Sequence, residues 1–327
     1  MKNSPEKKKI GFYWAASCGG CEIAVLDIDE KILEVVQHAD IVFWPVAMDI
    51  KYKDVESFED GYMDVCFFNG GIRTEENEHM AKLLRKKSKI LIAFGSCAHK
   101  GCVLGFANLS SKEEILKRVY LETPSTDNPE KIIPSKKVVG EKEELSLPSY
   151  LPFLKTLDDV VEVDYYIPGC PPPPELIYEN ILKIINNELP EKKTVLAPDV
   201  SLCEDCSRNP LKEKKMPADI KRIYEIDDDP TKCFLEEGVI CMGPVTRKGC
   251  NTRCINANFP CTGCMGPTSE VRDQGAKMIS SLGSILAIDN EEKYTAEEIY
   301  QIARKIVDPV GTFYMYSFAS SLLGKRK

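Results

Sequence analysis

The sequence predicts an α/β protein in two parts: a parallel β-sheet covered by helices, followed by a coil- and helix-rich region organised around cysteines. Three observations lead there. Short apolar runs alternate with helix-patterned stretches through the first half, the signature of βαβ units. From about residue 190 strand-like runs vanish, and glycine, proline and cysteine punctuate short segments, as expected where metal clusters replace a hydrophobic core. The chain also carries 14 cysteines in 327 residues, far more than packing requires. That length accommodates two domains, expected over 1–190 and 191–327.

The elements follow in order. KIGFYWA (9–15) reads as a buried strand, and the apolar spacing of Ile23, Val25, Leu26, Ile32, Leu33, Val35 and Val36 predicts one amphipathic helix over 22–38. DIVFWPV (40–46) and MDVCFFN (63–69) are the second and third strands. A polar helix follows over 75–87. KILIAFG (89–95) and VVEVDYYI (160–167) complete the sheet, with a closing helix over 175–187. Between them, 107–157 breaks the rhythm with a charged helix-like stretch and a Pro-, Ser- and Lys-rich run, and reads as an insertion or lid.

Composition excludes several function classes. A net charge of −8 without a long basic tract argues against nucleic-acid binding. No run of about 18 apolar residues occurs, so no membrane span is expected. The N-terminal residues lack a secretory pattern, and a cytoplasmic protein is expected. Disulfides are disfavoured in that compartment, leaving zinc or iron–sulfur clusters to account for the cysteines. The charge runs at 6–9, 141–144 and 227–229 read as solvated surface.

The early cysteines fall at telling places. Cys18 and Cys21 form a CGGC directly after the first strand, Cys97 follows the fourth, and Cys170 follows the fifth in PGCPPPP. Ligands of open parallel sheets bind beyond the carboxyl ends of the strands, so four thiols converge on one edge, the number a cubane cluster takes. Neighbouring glycines (Gly19, Gly20, Gly95 and Gly169) let the backbone approach inorganic sulfide closely. A thioredoxin-like redox pair is the plain alternative for CGGC, but it leaves Cys97 and Cys170 unused.

Eight more cysteines follow, dividing naturally into Cys203, Cys206, Cys233 and Cys241, then Cys250, Cys254, Cys261 and Cys264. Spacing alone leaves structural zinc open for either group. Cys66, inside an apolar strand, reads as core, and Cys102 as a packing residue near the first group.

CGGC, GSC, PGCPP, CFLEEGVICMGPVTRKGC and PCTGC, in that order, resemble the small subunit of nickel–iron hydrogenases over nearly the whole chain. The resemblance implies a flavodoxin-like domain and three [4Fe-4S] clusters. Proximal ligands would be Cys18, Cys21, Cys97 and Cys170; distal ones Cys203, Cys206, Cys233 and Cys241; medial ones Cys250, Cys254, Cys261 and Cys264. It further implies electron relay from a large subunit that cleaves hydrogen, with no catalytic residue in this chain. Cys203, where periplasmic enzymes usually have histidine, and a fourth medial cysteine, Cys254, make it similar to the cytosolic methyl-viologen-reducing type. Those pair with a large subunit and a small [2Fe-2S] adaptor and pass electrons to heterodisulfide reductase.

Two other readings remain beside it: a hydrogenase-like relay without nickel inside a larger reductase, and a zinc-stabilised scaffold. A respiratory quinone-reductase subunit would carry one cluster with adjacent cysteines, which this chain lacks. His38 and His79 read as surface residues, and His99 as a possible neighbour of the first cluster. Glu22 reads as a helix N-terminal acid, and Trp14, Phe43, Trp44, Phe67 and Phe68 as core.

Overall fold

The computed structural model describes residues 7–139, 144–209, 216–227, 229–286 and 295–324. Most of the charge run at 141–144 and the centre of that at 227–229 lie outside the described residues. Strands β1 (Lys8–Trp14), β2 (Ala39–Phe43) and β3 (Met63–Asn69) are joined through α1 (Gly20–Leu26), α2 (Ile32–His38) and α3 (Tyr52–Ser57). Then come β4 (Ile72–Thr74), α4 (Glu75–Lys87), β5 (Ser88–Phe94) and α5 (Gly95–Lys100). The region read as an insertion holds α6 (Lys112–Lys117), the β6 (Lys137–Val139)–β7 (Glu144–Ser146) hairpin and β8 (Tyr150–Lys155), which pairs antiparallel with β4. Strand β9 (Tyr165–Ile167) and helix α7 (Pro174–Ile185) close the sheet region.

Five parallel strands form the main sheet in the order β2-β1-β3-β5-β9, the flavodoxin-like arrangement. Successive side chains point to opposite faces, and both faces are covered, so the strand centres are apolar without alternation. Phe12, Val65, Phe67, Ile92 and Phe94 point into a core shared with α1, α2 and α7. Tyr13, Cys66, Phe68, Leu91 and Ala93 point into the opposite one, beneath α3 and α4. Helix α4 is well specified locally: Thr74 accepts from the Asn77 amide at its start, acids fill the first turn and Arg85, Lys86 and Lys87 the last.

Three expectations about the sheet region need correcting. The single helix over 22–38 breaks into α1 and α2 around Asp29, which takes a left-handed φ of 54°. The break rotates the apolar stripe, so Val25 and Val35 are buried while Ile23, Leu26, Leu33 and Val36 are exposed. The fifth strand shrinks to three residues, because Asp164 turns inward to take Arg85, Lys192 and the Leu91 amide. Trp14 is 41% exposed rather than core, since β1 ends there at the rim of the sheet.

Beyond β9, the described residues hold isolated bridges but no further strand. The helices there are α8 (Arg253–Asn256), α9 (Gln274–Ile285), α10 (Ala296–Arg304) and α11 (Pro309–Tyr314). Cysteines do not replace the core here. Phe234, Leu235, Met242, Met278, Leu282, Phe313 and Phe318 build a third apolar cluster that includes Cys241 and Cys261. Among the described residues no helix is long and apolar enough to cross a membrane.

Candidate cluster-binding sites

The first site is built at the carboxyl edge of the sheet. After β1 the chain turns through Cys18, and Gly19 at φ 81° starts α1, placing Cys21 in its first turn. Cys97 lies in the first turn of α5, and Cys170 follows β9. These four cysteines, with Ser17, Gly20, Ser96, Gly169 and Pro171, line a hollow of about 230 Å³. Gly95 is required beside it: at φ +81° a Cβ there would stand 2.4 Å from the Cys21 sulfur. The Ser96 amide donates to the Gly169 carbonyl at 2.8 Å, clamping two of the cysteine-bearing turns together. Cys18 and Cys170 are exposed, whereas Cys21 and Cys97 are buried.

The second site has the same construction without a sheet. Cys203, Cys206, Cys233 and Cys241 line a hollow of about 350 Å³, together with Arg208, Phe234, Leu235, Gly243 and Pro244. Ser201 accepts from the Cys203 amide at 3.3 Å and Glu236 from the Cys233 amide at 2.9 Å, so both turns are pinned.

Cys250, Cys254, Cys261 and Cys264 form the third group, and it lies between the other two. The Cys261 amide donates to the Cys241 sulfur at 3.3 Å and the Met242 amide to the Cys261 carbonyl at 2.8 Å, which joins it to the second site. The Ser96 hydroxyl reaches the Cys264 carbonyl at 2.6 Å, which joins it to the first. Burial, then the neighbouring Cys250, pushes the Cys264 thiol up to about 12. Burial likewise raises Cys261, next to Cys241 and Cys264, and takes Cys241 up to about 12.

These thiols fit a metal–sulfur group. Burial makes Cys241, Cys261 and Cys264 resist ionisation on their own, and a cationic core would remove that penalty because a coordinating thiol is deprotonated outright. Among the described residues no three His, Cys, Asp or Glu side chains gather closely enough to hold one ion. In the first and second sites the four sulfurs surround a space instead.

The remaining candidates resolve individually. Cys66 is fully buried core. Cys102 is buried with its sulfur 3.6 Å from that of Cys170, beside the first hollow. His38 and His79 are exposed. His99 is buried and stacks on Tyr166 with ring centroids 4.5 Å apart. Glu22 lies in the first turn of α1 as expected, but it is only 3% exposed and accepts from the Trp44 indole at 2.5 Å and from the Asn69 side-chain amide at 3.3 Å. It thereby ties the turn bearing Cys21 to the ends of β2 and β3. Ser96 and Arg208 also line these sites; in the sequence the only signal they carry is that Ser96 precedes Cys97 and Arg208 lies two residues after Cys206.

Residues 18–184 match the family model described as NADH ubiquinone oxidoreductase, 20 Kd subunit. The chain is 38% identical over 322 residues to the iron-sulfur subunit of the F420-non-reducing hydrogenase of Archaeoglobus profundus, covering 97% of this chain and 98% of that protein. It is 37% identical over 321 residues to the corresponding F420-non-reducing hydrogenase subunit of Methanothermobacter thermautotrophicus, covering 97% and 96%. The structure of a reduced, active Ni-Fe-Se hydrogenase from Desulfomicrobium baculatum shares the fold, with a TM-score of 0.50 and 19% identity over 80% of this chain and 95% of that one.

Proposed function

Because the chain belongs to the NADH ubiquinone oxidoreductase 20 Kd subunit family, and within it to the iron–sulfur small subunits of hydrogenases, we propose that it is the electron-relay subunit of a nickel–iron hydrogenase. The carrying observation is the chain of three cysteine groups, with the third lodged between a sheet-edge hollow and a second hollow. In this reading Cys18, Cys21, Cys97 and Cys170 hold the proximal [4Fe-4S] cluster. Cys250, Cys254, Cys261 and Cys264 hold the medial one, and Cys203, Cys206, Cys233 and Cys241 the distal one. When bound, the clusters supply one-electron carriers. The chain's own residues hold the thiolates, donate amides toward sulfur and shield the sites with apolar walls.

A large subunit is the natural partner of the sheet-edge site. Cys18 is exposed, and so is Trp14, whose indole N–H donates to the Ser17 carbonyl at 3.2 Å. Ile23 and Leu26 on α1 and Val46 and Met48 after β2 are further exposed apolar side chains that a partner would cover. Hydrogen cleavage belongs to that partner, and this chain supplies no catalytic residue. On the family resemblance, a small [2Fe-2S] adaptor and heterodisulfide reductase receive the electrons, in the cytoplasm. In this reading the chain divides into 1–190 and 191–327; the first two cores are built mainly by the sheet and its helices and the third mainly by later residues, with Leu196 and Met265 packing into the first.

Anaerobic purification of the intact complex, with iron, sulfide, zinc and nickel analysis, tests this. About twelve irons per copy of this chain, beyond the partners' own, is the expected result for three cubanes. Stoichiometric zinc with little iron would overturn the relay in favour of a zinc scaffold. Full iron with a large subunit devoid of nickel would leave the relay but remove hydrogen as its electron source.

A further inference from the structure

A buried cation lies in the wall of the second hollow. Arg208 is 2% exposed and lines that space with Cys203, Cys206, Cys233 and Cys241. Its guanidinium donates to the Asp229 and Lys232 carbonyls and to the Asn258 side-chain oxygen, each at 3.1 Å. The same group lies 4.0 Å over the Phe234 ring, and the Glu237 carboxylate is 3.7 Å away. These contacts fix its position twice over. Two of the bonds grip the turn leading into Cys233; the third reaches Asn258, in the segment between Cys254 and Cys261 of the third group. The residues lining the first hollow include no cation at all.

An arginine stays protonated at any working pH, and a charge removed from water is weakly screened. A cluster becomes more negative on accepting an electron, so a fixed cation beside it favours the reduced form. We propose that Arg208 is a positioning and potential-setting residue of the second site, whose held charge draws electrons to that site, with Glu237 as one of the groups that offset it. This rests on the three-cluster reading above.

The test is an anaerobic EPR redox titration of the purified complex, following the second site's reduced-cluster signal, with iron counted in each sample. Arg208→Gln keeps hydrogen-bond donors but removes the charge. It should shift the reduction equilibrium about tenfold toward the oxidised form, equivalent to about 59 mV for one electron. Arg208→Lys keeps the charge and should shift it less than threefold. Glu237→Gln, which keeps an acceptor for the Asp229 amide, should shift it toward the reduced form. Full iron with an unmoved equilibrium in Arg208→Gln overturns the proposal, as does an equal shift in Arg208→Lys or a Glu237→Gln shift of the same sign. Loss of the cluster from both arginine variants would reduce Arg208 to a structural brace and overturn it too. Absence of a cluster at this site in the unmodified complex would instead overturn the reading on which it rests.

Discussion

The Ser96 hydroxyl donates to the Cys264 carbonyl across 2.6 Å, joining residues 168 positions apart. Ser96 precedes Cys97 of the sheet-edge site, and Cys264 belongs to the third group. One short side-chain bond therefore sets how two cysteine-bearing turns face each other.

Ser96→Ala should loosen that junction without altering any thiol. Losing the donor costs about 1 kcal/mol, with the Cys264 carbonyl left to find another partner. Cluster absorbance should decay severalfold faster at a fixed elevated temperature in the variant complex, with unchanged iron at the start. Identical decay would mean the bond carries no weight.

Gly95→Ala acts more locally. A left-handed conformation costs a side chain about 1–2 kcal/mol, and the new Cβ would press on the Cys21 sulfur from 2.4 Å. The sheet-edge site should fail to fill while the other two survive, so iron should fall by about four per chain. Quantitative iron analysis with EPR of the remaining signals checks this; full iron would show that Cys21 can give way.

Asp164 predicts a pH dependence. Burial pushes this carboxyl up, but Arg85, Lys192 and the Leu91 amide outweigh it and hold it below the usual carboxylate range. A depressed folded value means the stabilisation is fully present above about pH 4 and is lost as pH falls through the lower folded value. Asp164→Asn should therefore destabilise the chain by about 2 kcal/mol near neutrality. The difference from the unmodified chain should narrow in acid, as followed by thermal unfolding across pH 3–7.

The sheet was readable because its strands are buried on both faces, which leaves the VCFF centre of MDVCFFN apolar without alternation. That Cys18, Cys21, Cys97 and Cys170 share a hollow was readable for the related reason that loops after parallel strands meet at one edge. The break at Asp29 was hidden, since neither glycine nor proline marks it. Trp14 misled because an aromatic at a strand end looks like one within it. Glu22 finds its partners 22 and 47 residues away, and Arg208 finds Asn258 50 residues away. Such pairings depend on how loops are folded back, which local pattern does not encode. The third group's place between the others, where chain order would put it last, was legible only through the family resemblance, which made it medial.

The reciprocal bonds between the Cys241 and Cys261 segments reach beyond geometry. Cys261 gives its amide to one cysteine turn and its carbonyl to the residue following that turn, so neither segment can open while the other stays closed. Amide hydrogen exchange across 233–264 should then report a single opening event, one foldon rather than two. Assembly inherits the same logic: ordering of either turn preorganises the other, and the second half of the molecule matures as a unit rather than site by site.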